Sequence, residues 1–310
     1  MTTDMIDPTV HPSDAPAVTP KVATKRLSKW TLYSRRFARN KGAMAGMGIF
    51  VLLVLFAIIG PLIARYDHTA LDFLNLNVGP SAEHWFGTNS AGNDLFAQVA
   101  VGLQRSLMIA VTVSVGTTIV SALVGTAAAY FGGWTERIAL LIIHFMMVIP
   151  SFLILAMISN KAGGDWRVIS LIMIFVIGWY FPARVIWTMA LSLREREYVS
   201  AARYMGVSGM RIVLRHLLPN IGSLLVINFT LGVVNAVVTE TGLSFLGFGV
   251  KIPDVSLGAL IGSGSGSLVT APWLFYFPAA ALVMLTVSMA LIADGLRDAL
   301  DPTSAAGGRA

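Results

Sequence analysis

The residues that could do chemistry in this sequence are few. Among 310 residues there are five histidines and no cysteine, which excludes disulfides, thiol catalysis and cysteine-ligated zinc. His68 and His84 share one polar segment, but two histidines without a cysteine or a paired carboxylate are a weak signal for metal. His144 lies alone in an apolar run, where hydrogen-bonded packing is commoner than a proton relay. We therefore expect no catalytic and no metal-binding residues.

A phosphate site is equally poorly supported. Residues 262–267 alternate Gly and Ser, but they lack the strand, helix and Lys of a P-loop, so we interpret them as a flexible loop. The pattern G-x-x-x-x-G-K-[ST] occurs nowhere in the chain. The sequence thus predicts that the chain binds no cofactor and is not an ATPase by itself.

Two charged residues, Arg184 and Glu240, lie inside long apolar runs. Charges within a membrane are costly and often functional, so both are candidates for a pathway or gate. Arg184 lies about 9 Å from the end of its run at 1.5 Å per residue, and it could instead reach the interface. Glu240 could instead cap the turn that precedes Leu243–Gly249. The sequence leaves both alternatives open.

The elements that must position these residues are transmembrane helices. The chain is 55% hydrophobic and 12% charged, whereas soluble domains carry about 25% charged residues. Six apolar runs each reach the roughly 20 residues that a helix needs to cross the hydrocarbon layer. We predict an all-α polytopic membrane protein with six transmembrane helices, near residues 43–64, 107–130, 138–158, 168–190, 220–243 and 272–293.

The basic residues predict the orientation. With the N-terminus inside, the cytoplasmic segments hold 16 Lys and Arg and the outer segments hold five, so both termini should be cytoplasmic. We expect residues 1–26 to be a disordered cytoplasmic tail and residues 303–310 a short tail. Residues 27–42 read as a basic amphipathic interfacial helix, or as a basic flank that only fixes topology.

Two long loops remain, an outer one over residues 65–106 and a cytoplasmic one over residues 191–219. The cytoplasmic loop predicts a helix up to Met205, a stop at Gly206, an N-cap at Ser208 and a second short helix. Pro219 then suits the first turn of the fifth span.

The cytoplasmic loop also carries a family pattern. Ser200-Ala201-Ala202, Gly206, His216 and Leu218-Pro219 resemble the coupling loop of the permease subunits of ATP-binding-cassette importers. That pattern is Glu-Ala-Ala, three residues, Gly, nine residues, Ile, one residue, Leu-Pro. The spacing matches throughout, with Ser200 in place of Glu and His216 in place of Ile.

Further matches are similar to the dipeptide, oligopeptide and nickel importer branch, and to its C-type peptide permease. The resemblance runs from about Trp30 to Pro302, with Asn93 where the family often has Arg and His144 where it often has Asp. The matching residues are Glu197-Tyr198-Val199, Arg215-His216, Asn220, His84, Phe86-Gly87-Thr88, Gly92, Asp94-Leu95, Phe131–Trp134, Ile149-Pro150-Ser151 and Leu243–Gly249.

The resemblance implies a type I ABC importer permease fold in the bacterial cytoplasmic membrane, with lipid around the spans. It implies a peptide substrate, a second B-type permease, an extracytoplasmic solute-binding protein and two ATPase subunits that bind ATP and Mg; nucleic acid is not expected. The ATPase-coupling residues would be Glu197, Tyr198, Ala201, Ala202, Arg203, Met205, Gly206, Arg211, His216 and Pro219.

Within the loop, Tyr198, Ala202 and Met205 should share one face that enters a groove on a partner. Arg203, Arg211 and Arg215 would contact acidic groups around it. The alternative is a loop that rests on lipid headgroups.

In the outer loop, Trp85, Phe86 and Asp94 would face the binding protein, unless the loop packs on its own bundle.

Rival functions are a permease for nickel or another small solute, a secondary transporter or channel, and an intramembrane enzyme. A secondary transporter or channel would need more ionisable residues at the membrane midplane than these spans show. An intramembrane enzyme would need a paired nucleophile and base.

Overall fold

The computed structural model describes residues 29–161, 163–251 and 253–300. These residues form helices, and the only β pairing among them is an isolated bridge between Thr88 and Asp94. The predicted tails, 1–26 and 303–310, lie outside the described residues. The helices are α1 Lys29–Arg39, α2 Lys41–Ile63, α3 Leu95–Phe131, α4 Gly133–Val148, α5 Ser151–Lys161, α6 Trp166–Val176, α7 Tyr180–Arg194, α8 Glu197–Tyr204, α9 Gly209–Ile212, α10 Leu218–Asn220, α11 Gly222–Phe245, α12 Leu257–Ser265 and α13 Trp273–Leu300.

Four described helices, α2, α3, α11 and α13, are long and apolar enough to cross a membrane. Two further pairs meet the same test only when each is joined, α4 with α5 across an 81° bend and α6 with α7 across a 43° bend. Counting each pair as one span gives six, and each of the six predicted apolar runs corresponds to one of these units. The all-α, multi-span fold class is therefore confirmed.

Two predicted spans are broken rather than straight. Ile149 is extended at φ −75° and ψ 135°, as expected of a residue that precedes a proline, and α4 ends there. Ile177 is extended at φ −129° and ψ 145°, and Gly178 follows at φ +93°, which ends α6. The apolar pattern could not show either break because it records hydrophobicity and not backbone angles.

Helix α3 is much longer than the predicted span at 107–130. It begins twelve residues earlier, where the carboxylate of Asp94 accepts the backbone N–H of Ala97 at 2.9 Å and caps the helix. The predicted outer loop therefore ends at residue 94. Helix α3 packs against most other spans, and its small residues permit this, since a Cβ added at Gly125 would lie 2.6 Å from the carbonyl oxygen of Ala183.

The N-terminal helix is present as α1, over Lys29–Arg39 of the predicted 27–42. Tyr33 and Phe37 are half-buried and Arg35 and Arg39 are exposed, but Arg36 is half-buried as well, so the amphipathic division is partial. Phe37 packs against the core, and α1 contacts α13. The position of α1 at a membrane interface stays a prediction.

The Gly-Ser run at 262–267 is not a flexible loop, and that prediction was wrong. Residues Leu257–Ser265 form α12, which Ser256 caps by accepting the backbone N–H of Ala259 at 3.1 Å. Helix α12 packs against α3, α11 and α13. A Cβ added at Gly264 would lie 2.4 Å from the carbonyl oxygen of Leu274, so the small residues serve close packing.

Candidate functional site

Residues 191–219, called here the 191–219 segment, include the last turn of α7 and fold as a compact unit before α11. Helix α8 ends in a Schellman motif, in which the N–H of Val207 bonds to the carbonyl of Ala202 at 3.1 Å and that of Gly206 bonds to Arg203 at 3.1 Å. Gly206 has φ +74°, the left-handed conformation that glycine adopts freely. The predicted helix stop is therefore confirmed.

The segment has its own apolar core and rests on the end of α3. Its fully buried members pack against Tyr130 at the end of α3 and Leu193 in α7. The guanidinium of Arg194 donates to the carbonyl of Ala129 at 2.8 Å, where a cation complements a helix C-terminus. The segment is thus fixed to the span bundle. The buried members are Val199, Ala202, Ile212, Val213 and Leu217.

The predicted partner-facing side of α8 needs correction. Ala202 is 2% exposed and belongs to the segment's core, so it cannot enter a groove on another protein. Tyr198 and Met205 are exposed, at 41% and 76%. The reason is helical geometry: Val199 and Ala202 lie three residues apart and turn the same face inward, whereas Met205 lies beyond the end of the helix.

The three most exposed large apolar side chains of the segment are called here the apolar patch. It consists of Tyr204, Met205 and Met210, which are 91%, 76% and 52% exposed. Arginines at 203, 211 and 215 are also exposed. An exposed apolar surface with a charged rim is typical of a protein interaction site.

The other predicted loop residues are placed as follows. Glu197 and Ala201 are exposed, and Glu197 lies in the first turn of α8, where an acidic group is favourable. The ring of His216 lies 6.3 Å from that of Tyr198. Pro219 lies in α10, after a π-helical turn over Val213–Leu217, and so precedes α11 instead of starting it.

The loop between α2 and α3 packs on its own bundle, which was the alternative prediction for it. Asp94 is 4% exposed and its carboxylate lies 2.9 Å from Nδ1 of His84, itself 2% exposed. Phe86 is half-buried and stacks on Phe277 at 4.1 Å. Asp94 and Phe86 therefore do not form an outward surface, and of the three predicted residues Trp85 is the exposed one, at 40%.

A different part of this loop projects outward. Phe73 and Leu74 are 74% and 94% exposed. The carboxylate of Asp72 accepts hydrogen bonds from the side-chain amide of Asn75 at 2.8 Å and the backbone N–H of Leu74 at 3.0 Å, and these bonds lower the pKa of Asp72. The exposed tip therefore has a defined backbone.

Glu240 is a buried structural acceptor, which favours the second of its two predicted roles. It is 1% exposed, and its carboxylate accepts from the hydroxyl of Ser244 at 2.6 Å and from that of Ser106 at 3.4 Å. Ser106 is on α3 and Ser244 on α11. Glu240 thus joins two spans inside the chain, whereas the side chains of Arg184 and His144 are exposed.

The hydroxyls around Glu240 hold the connection from α11 to α12. Ser244 accepts the backbone N–H of Val250 at 3.2 Å, and Ser106 accepts that of Leu257 at 3.2 Å. Ser256 donates to the hydroxyl of Ser244 at 3.3 Å. Each bond passes toward Glu240, so the carboxylate is the final acceptor of a network that holds the described residues 246–251 and 253–256.

Sequence reasoning missed an uncharged cleft at the break between α6 and α7, lined by six polar residues and nine apolar or glycine residues. It lies between α3, this break and α11, and its lining includes Ile177 and Gly178 as well as polar residues. The available signal was the spacing of polar residues within the fifth apolar run. The polar lining residues are Thr117, Thr118, Ser121, Asn228, Asn235 and Thr239.

A bundle of apolar spans, two of them broken, with a folded segment that carries exposed apolar side chains, defines a multi-span membrane protein. The family model described as binding-protein-dependent transport system inner membrane component matches residues 121–305. The chain belongs to this family and is a multi-pass protein of the bacterial inner membrane. The model of the N-terminal transmembrane domain of oligopeptide transport permease C matches residues 28–80.

Curated relatives cover nearly the whole chain. The oligopeptide transport system permease protein OppC of Mycobacterium tuberculosis strain H37Rv is 44% identical over 282 residues, 91% of this chain and 97% of the relative. The protein of the same name in Bacillus subtilis is 35% identical over 284 residues, which cover 91% of this chain and 92% of that relative. A putative peptide permease protein of Brucella suis is 36% identical over 272 residues, which cover 87% of this chain and 89% of that relative.

Proposed function

We propose that this chain is a permease subunit of an ATP-driven importer of short peptides. The relatives that cover 91% of it are named for oligopeptide transport. Together with a second, B-type permease the chain would enclose the translocation pathway. ATP and Mg would be bound and ATP hydrolysed on two partner ATPase subunits, and a solute-binding protein would deliver the peptide from outside.

The observation that carries the proposal is the apolar patch on a pre-folded segment. Tyr204, Met205 and Met210 are exposed on a unit that has its own core and is fixed to α3 through Ala129 and Arg194. A flexible loop would absorb the movement of a partner. A unit packed against the end of a span passes that movement on to the span.

The opposite side of the molecule offers the surface for the binding protein. Phe73 and Leu74 project from the loop between α2 and α3, and Trp85 is exposed in the same loop, where the guanidinium of Arg65 lies 5.8 Å from the centre of its ring. Aromatic side chains and arginine are enriched in protein interfaces. This surface takes the place of the predicted set Trp85, Phe86 and Asp94.

Reconstitution tests the proposal directly. The chain is co-purified with a second permease and an ATPase pair, placed in vesicles, and supplied with a binding protein loaded with a labelled tripeptide or pentapeptide. We expect peptide uptake that requires ATP and hydrolysis that the loaded binding protein stimulates. Uptake driven by an ion gradient without ATP would establish a secondary transporter instead, and uptake of Ni²⁺ without peptide would establish the nickel alternative.

A further inference from the structure

The uncharged cleft between α3, the α6–α7 break and α11 has a volume of about 170 Å³. That is well above the roughly 10–15 Å³ that one water molecule needs. The residues that line it are apolar or uncharged polar, and the described lining contains no ionisable side chain. The position of the cleft along the spans and its uncharged lining indicate which molecules it can hold.

The α11 side of the cleft is a stripe of polar residues at mid-depth. Asn228, Asn235 and Thr239 are seven and four residues apart, which places them on one face of a helix. Asn235 is the fourteenth of 24 residues in α11, about 20 Å from its start at 1.5 Å per residue, and its side chain is exposed. An amide at this depth is costly against lipid, so the stripe must face water or protein.

The opposite wall of the cleft is broken backbone at a similar depth. The break at Ile177 and Gly178 follows the 11 residues of α6, or about 17 Å of helix. Non-helical backbone at membrane depth occurs only where it is buried in protein or lines a water-filled cavity. Both residues line the cleft. Two independent features, the stripe and the break, therefore converge on one space.

We propose that this cleft is filled with water in the assembled transporter and binds the backbone amides of a passing peptide. This inference rests on the proposed function. Hydroxyl and amide side chains both donate and accept, as a peptide group requires. Asn228 is part of this lining, and its Nδ2 has no hydrogen-bond partner in the described structure. With an uncharged lining, the cleft does not select peptides by side-chain charge.

Cysteine labelling tests whether the cleft holds water. Because the chain has no cysteine, Asn235→Cys and Thr118→Cys each introduce a unique thiol. In the reconstituted complex a charged thiol reagent should label both on the order of tenfold faster than Ile119→Cys, because only a hydrated thiolate reacts well. Ile119 follows Thr118 on α3, is 53% exposed and is outside the cleft lining.

The labelling has clear alternative outcomes. Peptide supplied with binding protein and ATP should slow the labelling of Asn235→Cys and leave the Ile119→Cys rate unchanged. If the Asn235 thiol is unreactive in every nucleotide state, the stripe is sealed against the second permease and the inference is wrong. Equal labelling of all three thiols would also overturn it.

Transport tests the ligand chemistry. Removal of one uncharged hydrogen bond should lower uptake about 3- to 10-fold. Asn235→Leu should do so equally for anionic, neutral and cationic pentapeptides, while Ile119→Val leaves uptake unchanged. Asn235→Asp should favour the cationic peptide over the anionic one, because it adds the charge that the natural lining lacks.

Failure of the proposed function and failure of the cleft to bind peptide give different results. If the wild-type complex imports no peptide, the proposed function itself is wrong. If the wild-type complex imports all three peptides and Asn235→Leu matches it, or lowers uptake of only one charge class, then the cleft does not bind the peptide backbone.

Discussion

At the scale of single residues, Gly206 is the position where one side chain should separate folding from coupling. A Cβ there would meet no atom within 4 Å, so a substitution acts through backbone strain alone. A β-carbon at φ +74° costs roughly 1 kcal/mol or more. We expect Gly206→Val to leave the spans inserted but to misdirect the apolar patch, so that ATP hydrolysis no longer responds to the loaded binding protein.

Asparagine provides the matched control, since it tolerates the left-handed conformation better than other residues with a side chain. Gly206→Asn should therefore keep most of the stimulated hydrolysis. Should Gly206→Val behave like wild type in reconstituted vesicles, the geometry of the 191–219 segment does not matter for coupling.

Glu240 supports a second prediction at this scale, on stability instead of coupling. Glu240→Gln keeps the shape but leaves one oxygen for the two hydroxyls of Ser106 and Ser244, which both donate to the carboxylate. We expect a loss of about 1–3 kcal/mol, the cost of one unpaired buried group. Thermal unfolding in detergent and protease cleavage within residues 246–256 would measure it.

Val238→Ala is the control for this experiment, because Val238 is 56% exposed and two residues from Glu240. It should change both measurements little. Increased cleavage in Val238→Ala, or none in Glu240→Gln, would show that Glu240 does not order the connection from α11 to α12.

At the scale of elements, the 191–219 segment has an inside and an outside that two acidic substitutions should distinguish. Ala202→Glu buries an unpaired charge in the segment's core and should destabilise the segment by about 3 kcal/mol or more. Met205→Glu changes a residue of the apolar patch, so it should change the stability of the segment by no more than about 0.5 kcal/mol. It should, however, weaken the binding of the ATPase subunits on the order of tenfold.

Two readouts are needed for this pair, protease sensitivity of the segment and co-purification of the ATPase subunits. Ala202→Glu should change both, whereas Met205→Glu should change co-purification alone. If Met205→Glu retains the ATPase subunits at wild-type levels, the apolar patch is not their docking surface.

The sequence predicted those features of the segment that depend on local chemistry. The stop at Gly206 follows from the freedom of glycine at positive φ, and spacing alone located it. The burial of Ala202 could not be predicted, because it depends on Ile212 and Leu217, which fold back from the far side of the turn. The same limit applies to Asp94, whose burial depends on His84 ten residues earlier.

At the scale of the whole molecule, the Lys and Arg distribution still predicts the orientation, and single cysteines can test it. Ser90 and Ser208 are both exposed, the first in the loop before α3 and the second between α8 and α9. An impermeant thiol reagent applied outside intact cells should label Ser90→Cys and spare Ser208→Cys, and both should react after permeabilisation. Labelling of Ser208→Cys in intact cells would contradict the predicted topology.

The larger arrangement was predictable in kind but not in detail. Six apolar runs indicated the spans, because the length of an apolar run can be read directly from the sequence. The breaks at Ile149 and Ile177, and the extension of α3 to Leu95, depend on backbone angles and on a cap at Asp94. The uncharged cleft was missed because its lining comes from α3, α6, α7 and α11, and only packing brings Thr118 and Asn235 to the same space.

The length of α3 has a consequence for how large a movement this protein can make. One continuous helix of 37 residues carries Asp94 at its start, Ser106 of the Glu240 network and Thr118 of the cleft, and its far end lies beneath the 191–219 segment. It is about 55 Å long at 1.5 Å per residue, more than the roughly 45 Å of a whole bilayer. Swung through an arc of about 10° from one end, it would carry the other through roughly 10 Å. With the predicted orientation, a small angular step of α3 beneath the 191–219 segment would move its outer end by this distance.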